Sequence, residues 1–281
     1  EMAGESLDKS FPDNAYHPRT EISLQDEHNE ATSAIKNARE AIMSLHKKIL
    51  KEKHSKNLPG WRDTVPQLFA VSTWVGYDLD GRSDISWLDS FRLRLSEKKI
   101  SLDLYIEKLS PFLKSNSKVG RIIDELSAER RATKADLVRF SKIEDNGFVE
   151  AANRLSERKD KLTASKVFAE RLRKIASDTQ NSEEAIELLA IAGDIASNGF
   201  GLGELHLRIN AVQLANAMGV ADGKGNFVSL TDASSRTLLE RLAEHISLES
   251  GSSFNFQNLE QESATARRQL MLATQILKHI D

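Results

Sequence analysis

Leu68-Phe69-Ala70-Val71-Ser72-Thr73-Trp74-Val75-Gly76-Tyr77-Asp78-Leu79-Asp80-Gly81-Arg82 is the stretch on which the fold turns, because it interrupts a chain otherwise dominated by helical periodicity. Leu68, Phe69, Ala70, Val71, Trp74 and Val75 form a short apolar run with β-branched and aromatic members, the pattern of a buried strand. Asp80-Gly81 then supplies turn chemistry. Carboxylates at i and i+2 leave a strand end on the same side, so Asp78 and Asp80 are placed to share a cation or to hold an arginine or a backbone amide. The plainest reading is that they cap the turn and the helix that follows.

Two chemical readings of the carboxylates fit poorly. Asp78-Leu79-Asp80-Gly81 has the Asp-x-Asp-Gly spacing of haloacid-dehalogenase-like phosphotransferases, whose first aspartate is a nucleophile, but Arg82 stands where Thr or Val belongs. That fold also requires strands alternating with helices along the whole chain, which this sequence lacks. A calcium loop would need its glycine at the sixth position and a third aspartate at the fifth.

Ser72-Thr73-Trp74-Val75-Gly76-Tyr77-Asp78-Leu79-Asp80-Gly81-Arg82 resembles the Ser-Trp-Met-Gly-Gly-Asp-Arg-Asp-Gly-Asn-Pro segment of phosphoenolpyruvate carboxylases, with Trp74, Gly76, Asp78, Asp80 and Gly81 aligned. Further along, Asn198-Gly199-Phe200-Gly201-Leu202-Gly203-Glu204-Leu205-His206-Leu207-Arg208-Ile209-Asn210 is similar to the Phe-Gly-Leu-x-Leu-x-Arg-Leu-Asp-Ile-Arg-Gln strand of the same enzymes, in the same order and at a similar separation. The resemblance covers residues 20–250 and implies an interior fragment of a divergent bacterial branch of that family. The fold it implies is mainly α with two or three short strands, a partial α/β barrel with long helices. The activity it implies is the joining of bicarbonate to phosphoenolpyruvate to give oxaloacetate and phosphate, feeding the tricarboxylic acid cycle. By the same resemblance Mg2+ or Mn2+ takes part, with ligands outside this chain, and Trp74, Asp78, Asp80, Gly81, Arg82, His206 and Arg208 are the substrate-binding candidates, Trp74 forming an apolar wall.

Departures from the family pattern are specific. Leu79 replaces the arginine between the aspartates, and Arg82-Ser83 replaces Asn-Pro. In the second segment His206 and Asn210 stand at the two arginine positions, and Arg208 stands at the aspartate. The family's catalytic histidine lies in Thr-Ala-His-Pro-Thr; the nearest text is Ala15-Tyr16-His17-Pro18-Arg19-Thr20, in which His17 is closer to Trp74 than the family spacing allows. His17 is therefore either a chance match or the sole catalytic candidate. No Gly-Arg-Gly-Gly run occurs. The expectation is a chain inactive by itself, with a non-catalytic helical interaction or regulatory module on that scaffold as the alternative.

Composition agrees with a piece of a cytoplasmic enzyme. The 281 residues, 40% of them hydrophobic, suffice for a sizeable core. A net charge of −3 and 6% aromatic residues offer neither field nor stacking platform for nucleic acid. The longest apolar run, Ile186 to Ala196, is interrupted by Asp194 and falls short of the roughly 18 residues a membrane span needs. The chain opens at Glu1 with no basic-then-apolar leader, and the absence of cysteine excludes disulfides and thiol chemistry.

Residues 1–22 read as a flexible segment and 23–281 as a helical domain. Ala31, Ile35, Ala38, Ile42, Leu45 and Ile49 mark a helix over 24–54 behind a Ser23/Asp26 capping box. Ser86/Asp89 open another through Leu88, Phe91, Leu95, Leu102, Tyr105 and Leu109, with Pro111 near its end. Residues 118–177 read as an exposed antiparallel pair of helices broken near Asn146-Gly147, in which Arg154, Arg158, Lys159 and Lys161 form a solvated face. Ser182 caps the next helix, closed by Asn198-Gly199, before Leu205, Leu207 and Ile209 alternate as a half-buried strand. Further helices are expected over 211–218, 231–247 and 258–279, with a turn at 222–226. Unpaired barrel strands would have to rearrange, be buried among the helices, or pair with a partner, either a second copy in a homo-oligomer or the remainder of a parent chain.

Overall fold

The computed structural model describes residues 22–78, 85–141, 147–209, 256–263 and 265–281. Among these residues the chain is mainly helical: α1 (Leu24–Ser55), α2 (Trp87–Leu109), α3 (Ser117–Ser141), α4 (Phe148–Glu157), α5 (Ser165–Asp178), α6 (Ser182–Asn198), α7 (Phe256–Gln261) and α8 (Thr265–His279). Two strands, β1 (Ser72–Thr73) and β2 (Glu204–Leu205), pair in parallel. No barrel closes among the described residues, and the expected elements at 211–218, 222–226 and 231–247 lie outside them, as do His17, Asp80, Gly81 and Arg82.

Local chemistry sets the helix boundaries. Ser23 and Asp26 satisfy each other's backbone amides in a capping box at the start of α1, and Ser86 and Asp89 do the same for α2. α1 stops where Asn57 and Gly60 take positive φ, and α2 ends in a tight turn through Pro111. α6 is capped by Asn181, not by Ser182: the Asn181 side-chain oxygen accepts from the amides of Glu183 and Glu184, and Ser182 is already helical.

Residues 118–177 hold three helices where an exposed pair was expected. α3 packs lengthwise on α2, and α5 on α6, so these charged helices bury one face each. The 258–279 region is likewise two helices, separated around Glu262 and Ser263.

The apolar core has two parts. One is built by Leu102, Tyr105 and Leu109 of α2, Val119, Ile122 and Leu126 of α3, Phe168 and Leu172 of α5 and nearly the whole of α6. The other gathers Tyr77, Trp87, Phe91, Leu95, Phe140, Leu155, Phe256, Leu272 and Ile276. Both α2 and α3 run through the two parts in opposite order, and between them each helix carries buried polar groups. Along α2 the buried positions 91, 95, 98, 102, 105 and 109 alternate in steps of four and three, with Lys98 in the middle; along α3 positions 119, 122, 126, 129, 133, 136 and 140 do so, with Glu129, Thr133 and Asp136 in the middle. An ionic layer thus crosses the hairpin at mid-height.

The β1 region differs from the buried strand expected of it. Only Ser72 and Thr73 pair, and Leu68, Phe69 and Trp74 expose 45%, 57% and 53% of their surface. The strand expected through Leu205, Leu207 and Ile209 is also shorter, with only Glu204 and Leu205 pairing, although burial alternates along it: Glu204, His206 and Arg208 are exposed while Leu205, Leu207 and Ile209 are half-buried, Leu205 and Leu207 packing on the second core.

Candidate functional site

The parallel pair joins the two sequence segments singled out above. Ser72 lies beside Glu204 and Thr73 beside Leu205; the Glu204 amide donates to the Val71 carbonyl at 2.8 Å and the His206 amide to the Thr73 carbonyl at 2.9 Å. Both strands therefore end on the same side, where Trp74 to Asp78 follow β1 and His206 to Ile209 follow β2. Carboxyl ends of parallel strands are where α/β folds place their ligands, because the loops there are free to vary.

Side chains from three helices pin these two segments. The loop after β1 turns at Gly76, whose φ of 85° suits glycine, with the Tyr77 amide donating back to the Trp74 carbonyl at 2.9 Å and the Ser90 hydroxyl donating to the Gly76 carbonyl. Gln269 of α8 donates from its amide nitrogen to the carbonyls of both Tyr77 (2.7 Å) and Arg208 (3.1 Å). The loop before β2, Gly199 to Gly203, is held by its carbonyls: the Tyr105 hydroxyl donates to Gly199, Arg39 to Leu202 and Arg94 to Gly203. A side chain at Gly203 would meet the Val71 carbonyl at 2.7 Å, and one at Gly201 would run into the Arg94 guanidinium.

Behind the strands lies a buried network of charges. Arg94 grips Asp281 with two nitrogens and donates to Glu97 at 2.8 Å. Glu97 also accepts from the Tyr77 hydroxyl at 3.0 Å and meets His28 Nε2 at 3.2 Å. Burial and then the Glu97 carboxylate push the Tyr77 hydroxyl well above its ordinary value, which keeps it a donor. Lys98 places its ammonium against Glu129 at 2.7 Å and against the Leu162 and Ile280 carbonyls, using all three of its donors. Arg158 closes on Glu129 with two bonds of 2.7 and 2.9 Å. Burial pushes the Glu129 carboxyl up, and Arg158 and Lys98 more than offset it, holding it below the usual range.

This corrects the reading of the 154–161 charges as a solvated face. Arg154 does reach solvent beside Glu150, but Arg158 is mostly buried against Glu129, and Lys161 donates to the Leu155 and Ser156 carbonyls.

Of the expected site residues, the fold gathers Trp74, Asp78, His206 and Arg208 at the strand ends, with Trp74, His206 and Arg208 exposed and Asp78 partly so. Exposed Arg and His side chains can donate to an anion. Among the described residues no three His, Asp or Glu side chains gather as metal donors. Arg94, Glu97, Lys98, Glu129 and Gln269 had no place in the sequence reading, although one signal was there: Lys98, Glu129 and Asp136 fall on the four-three rows of core positions of α2 and α3. In comparisons with known proteins the chain matches no protein-family model, no curated protein and no solved structure.

Proposed function

We propose that the chain is part of a phosphoenolpyruvate carboxylase-like enzyme, which adds bicarbonate to phosphoenolpyruvate and releases oxaloacetate and phosphate, and that these 281 residues by themselves are inactive. The observation that supports this reading is the pairing of β1 with β2. The two segments that carry the resemblance lie far apart in the chain and form neighbouring parallel strands with a common carboxyl end. In this reading the strands belong to a partial α/β barrel.

The roles follow from the side chains. Arg208 and His206 offer donors to the phosphate or carboxylate of phosphoenolpyruvate. Trp74 supplies a flat apolar surface against its methylene carbon. Asp78, which follows the Gly76 turn, is the partly exposed carboxylate at the strand ends that the resemblance assigns to substrate binding. The Mg2+ or Mn2+ that the resemblance implies finds no donor cluster among the described residues, so no step assigned to these side chains depends on it.

The test is bicarbonate-dependent oxaloacetate formation, trapped by reduction to malate, from the whole protein that the gene encodes and from the 281-residue chain. The whole protein should form oxaloacetate and the chain none. Trp74→Ala and Arg208→Ala should each lower kcat/KM for phosphoenolpyruvate about tenfold or more in the whole protein. Oxaloacetate from neither sample, with stable self-association of the chain, would replace this reading with that of a non-catalytic helical module.

A further inference from the structure

Gln269 is buried completely, 61 residues beyond Arg208 and 192 beyond Tyr77, yet its amide nitrogen bonds the main chain of both segments at the strand ends. Because both of those partners are carbonyls, the nitrogen must face them, and the amide oxygen is left buried with no hydrogen-bond partner among the described residues. A side chain that leaves its own acceptor unsatisfied while its two donors bridge separate chain segments is placed for the bridge.

The rest of α8 is anchored independently of this amide. Met271, Leu272 and Ile276 pack into the second core, and Asp281, just past the helix, grips Arg94. One end of the helix is thereby tied to the ionic layer and the other to the strand ends. We propose that Gln269 is a positioning residue, which sets the spacing between the Trp74–Asp78 loop and the His206–Arg208 segment and so the affinity of the site between them for an anionic substrate. The affinity part of this inference rests on the reading of that site as a phosphoenolpyruvate pocket.

The geometry can be tested separately from the affinity. Hydrogen exchange in the 281-residue chain reads the Tyr77 and His206 amides, both hydrogen-bonded next to the bridge. Gln269→Leu, which keeps the shape and removes both donors, should speed exchange at these amides about tenfold or more and leave α3 and α5 unchanged. Ile276→Val, a substitution in the same helix and core, should not. In Gln269→Glu a neutral carboxyl can donate one bond and a carboxylate none, so protection should return as the pH is lowered through the carboxyl's titration, which a purely volumetric role would not produce. In the whole protein Gln269→Leu should raise KM for phosphoenolpyruvate and Ile276→Val should not. Uniform exchange changes in Gln269→Leu, or a pH-independent Gln269→Glu, overturn the positioning role. A wild-type protein without carboxylase activity overturns the substrate assignment and leaves the exchange result to decide the bridge.

Discussion

The guanidinium of Arg39 on α1 faces the carboxylate of Asp194 on α6 with neither side chain exposed. Arg39 donates from Nη1 to the Ser101 hydroxyl and the Leu202 carbonyl, and it stacks on Tyr105 at 5.0 Å. Asp194 in turn accepts from Asn198, whose side-chain oxygen takes the Val71 amide at 3.0 Å. A continuous chain of bonds therefore runs from α1 through α6 to the start of β1.

Removing one partner of such a pair leaves a buried charge alone. Asp194→Ala should cost about 3–5 kcal/mol of unfolding free energy. The double variant Arg39→Met/Asp194→Leu, which buries no charge, should recover much of that loss. Denaturant unfolding of the three proteins checks both; a double variant as unstable as the sum of the single ones would show that the pair contributes more than the avoidance of an orphan charge.

Acid should weaken the fold through His279. Burial first, and then the charges of Lys161 and Lys278, push its imidazole down to about 4, and Lys161 stands 3.1 Å from Nδ1, a contact that requires the neutral ring. The folded-state value lies below the unfolded one of 6.5, so between about pH 6.5 and about pH 4 the unfolded chain binds the extra proton and stability falls as the pH falls. Burial lowers His46 as well, and its contribution has the same sign. With allowance for partial screening the His279 effect is about 2 kcal/mol. Stability measured from pH 7 to 4 should decline less steeply in His279→Gln than in the wild type.

Gly203→Ala separates the strand pair from the helices. The added methyl would press on the Val71 carbonyl, which accepts the Glu204 amide, so it should cost about 1–3 kcal/mol and act mainly at the β1–β2 contact. Thermal unfolding gives the magnitude, and exchange at the Glu204 and His206 amides shows where it acts. Loss confined to α5 and α6 would contradict the assignment.

The sequence was most legible where local chemistry decides. Both capping boxes, the break after α1 and the turn at Pro111 depend on residues within a few positions of one another. The segments around Trp74 and Arg208 could be singled out because each carries its own pattern. The face that α1 buries was harder to read: counting apolar residues favoured Ala31, Ala38 and Leu45, whereas the fold turns His28, Arg39 and His46 inward together with Ile35, Met43 and Leu50. Two of these polar groups meet partners from α2 and α6, Glu97 against His28 and Asp194 against Arg39. Such partners are distant in the chain and leave no periodic trace. Gln269 is an extreme case, since both its partners are backbone carbonyls, which no side-chain pattern encodes.

The ionic layer across α2 and α3 also fixes how far along each other these helices can lie. In a purely apolar heptad seam, a slide of one turn exchanges one aliphatic contact for another at little cost. Here it would set the Lys98 ammonium against Leu126 or Thr133 instead of Glu129, and would leave Glu129 and Arg158 without it in the interior. The charges that make this interior expensive to fill therefore act as a ruler, admitting one longitudinal setting of the hairpin and rejecting its neighbours by a full turn in either direction.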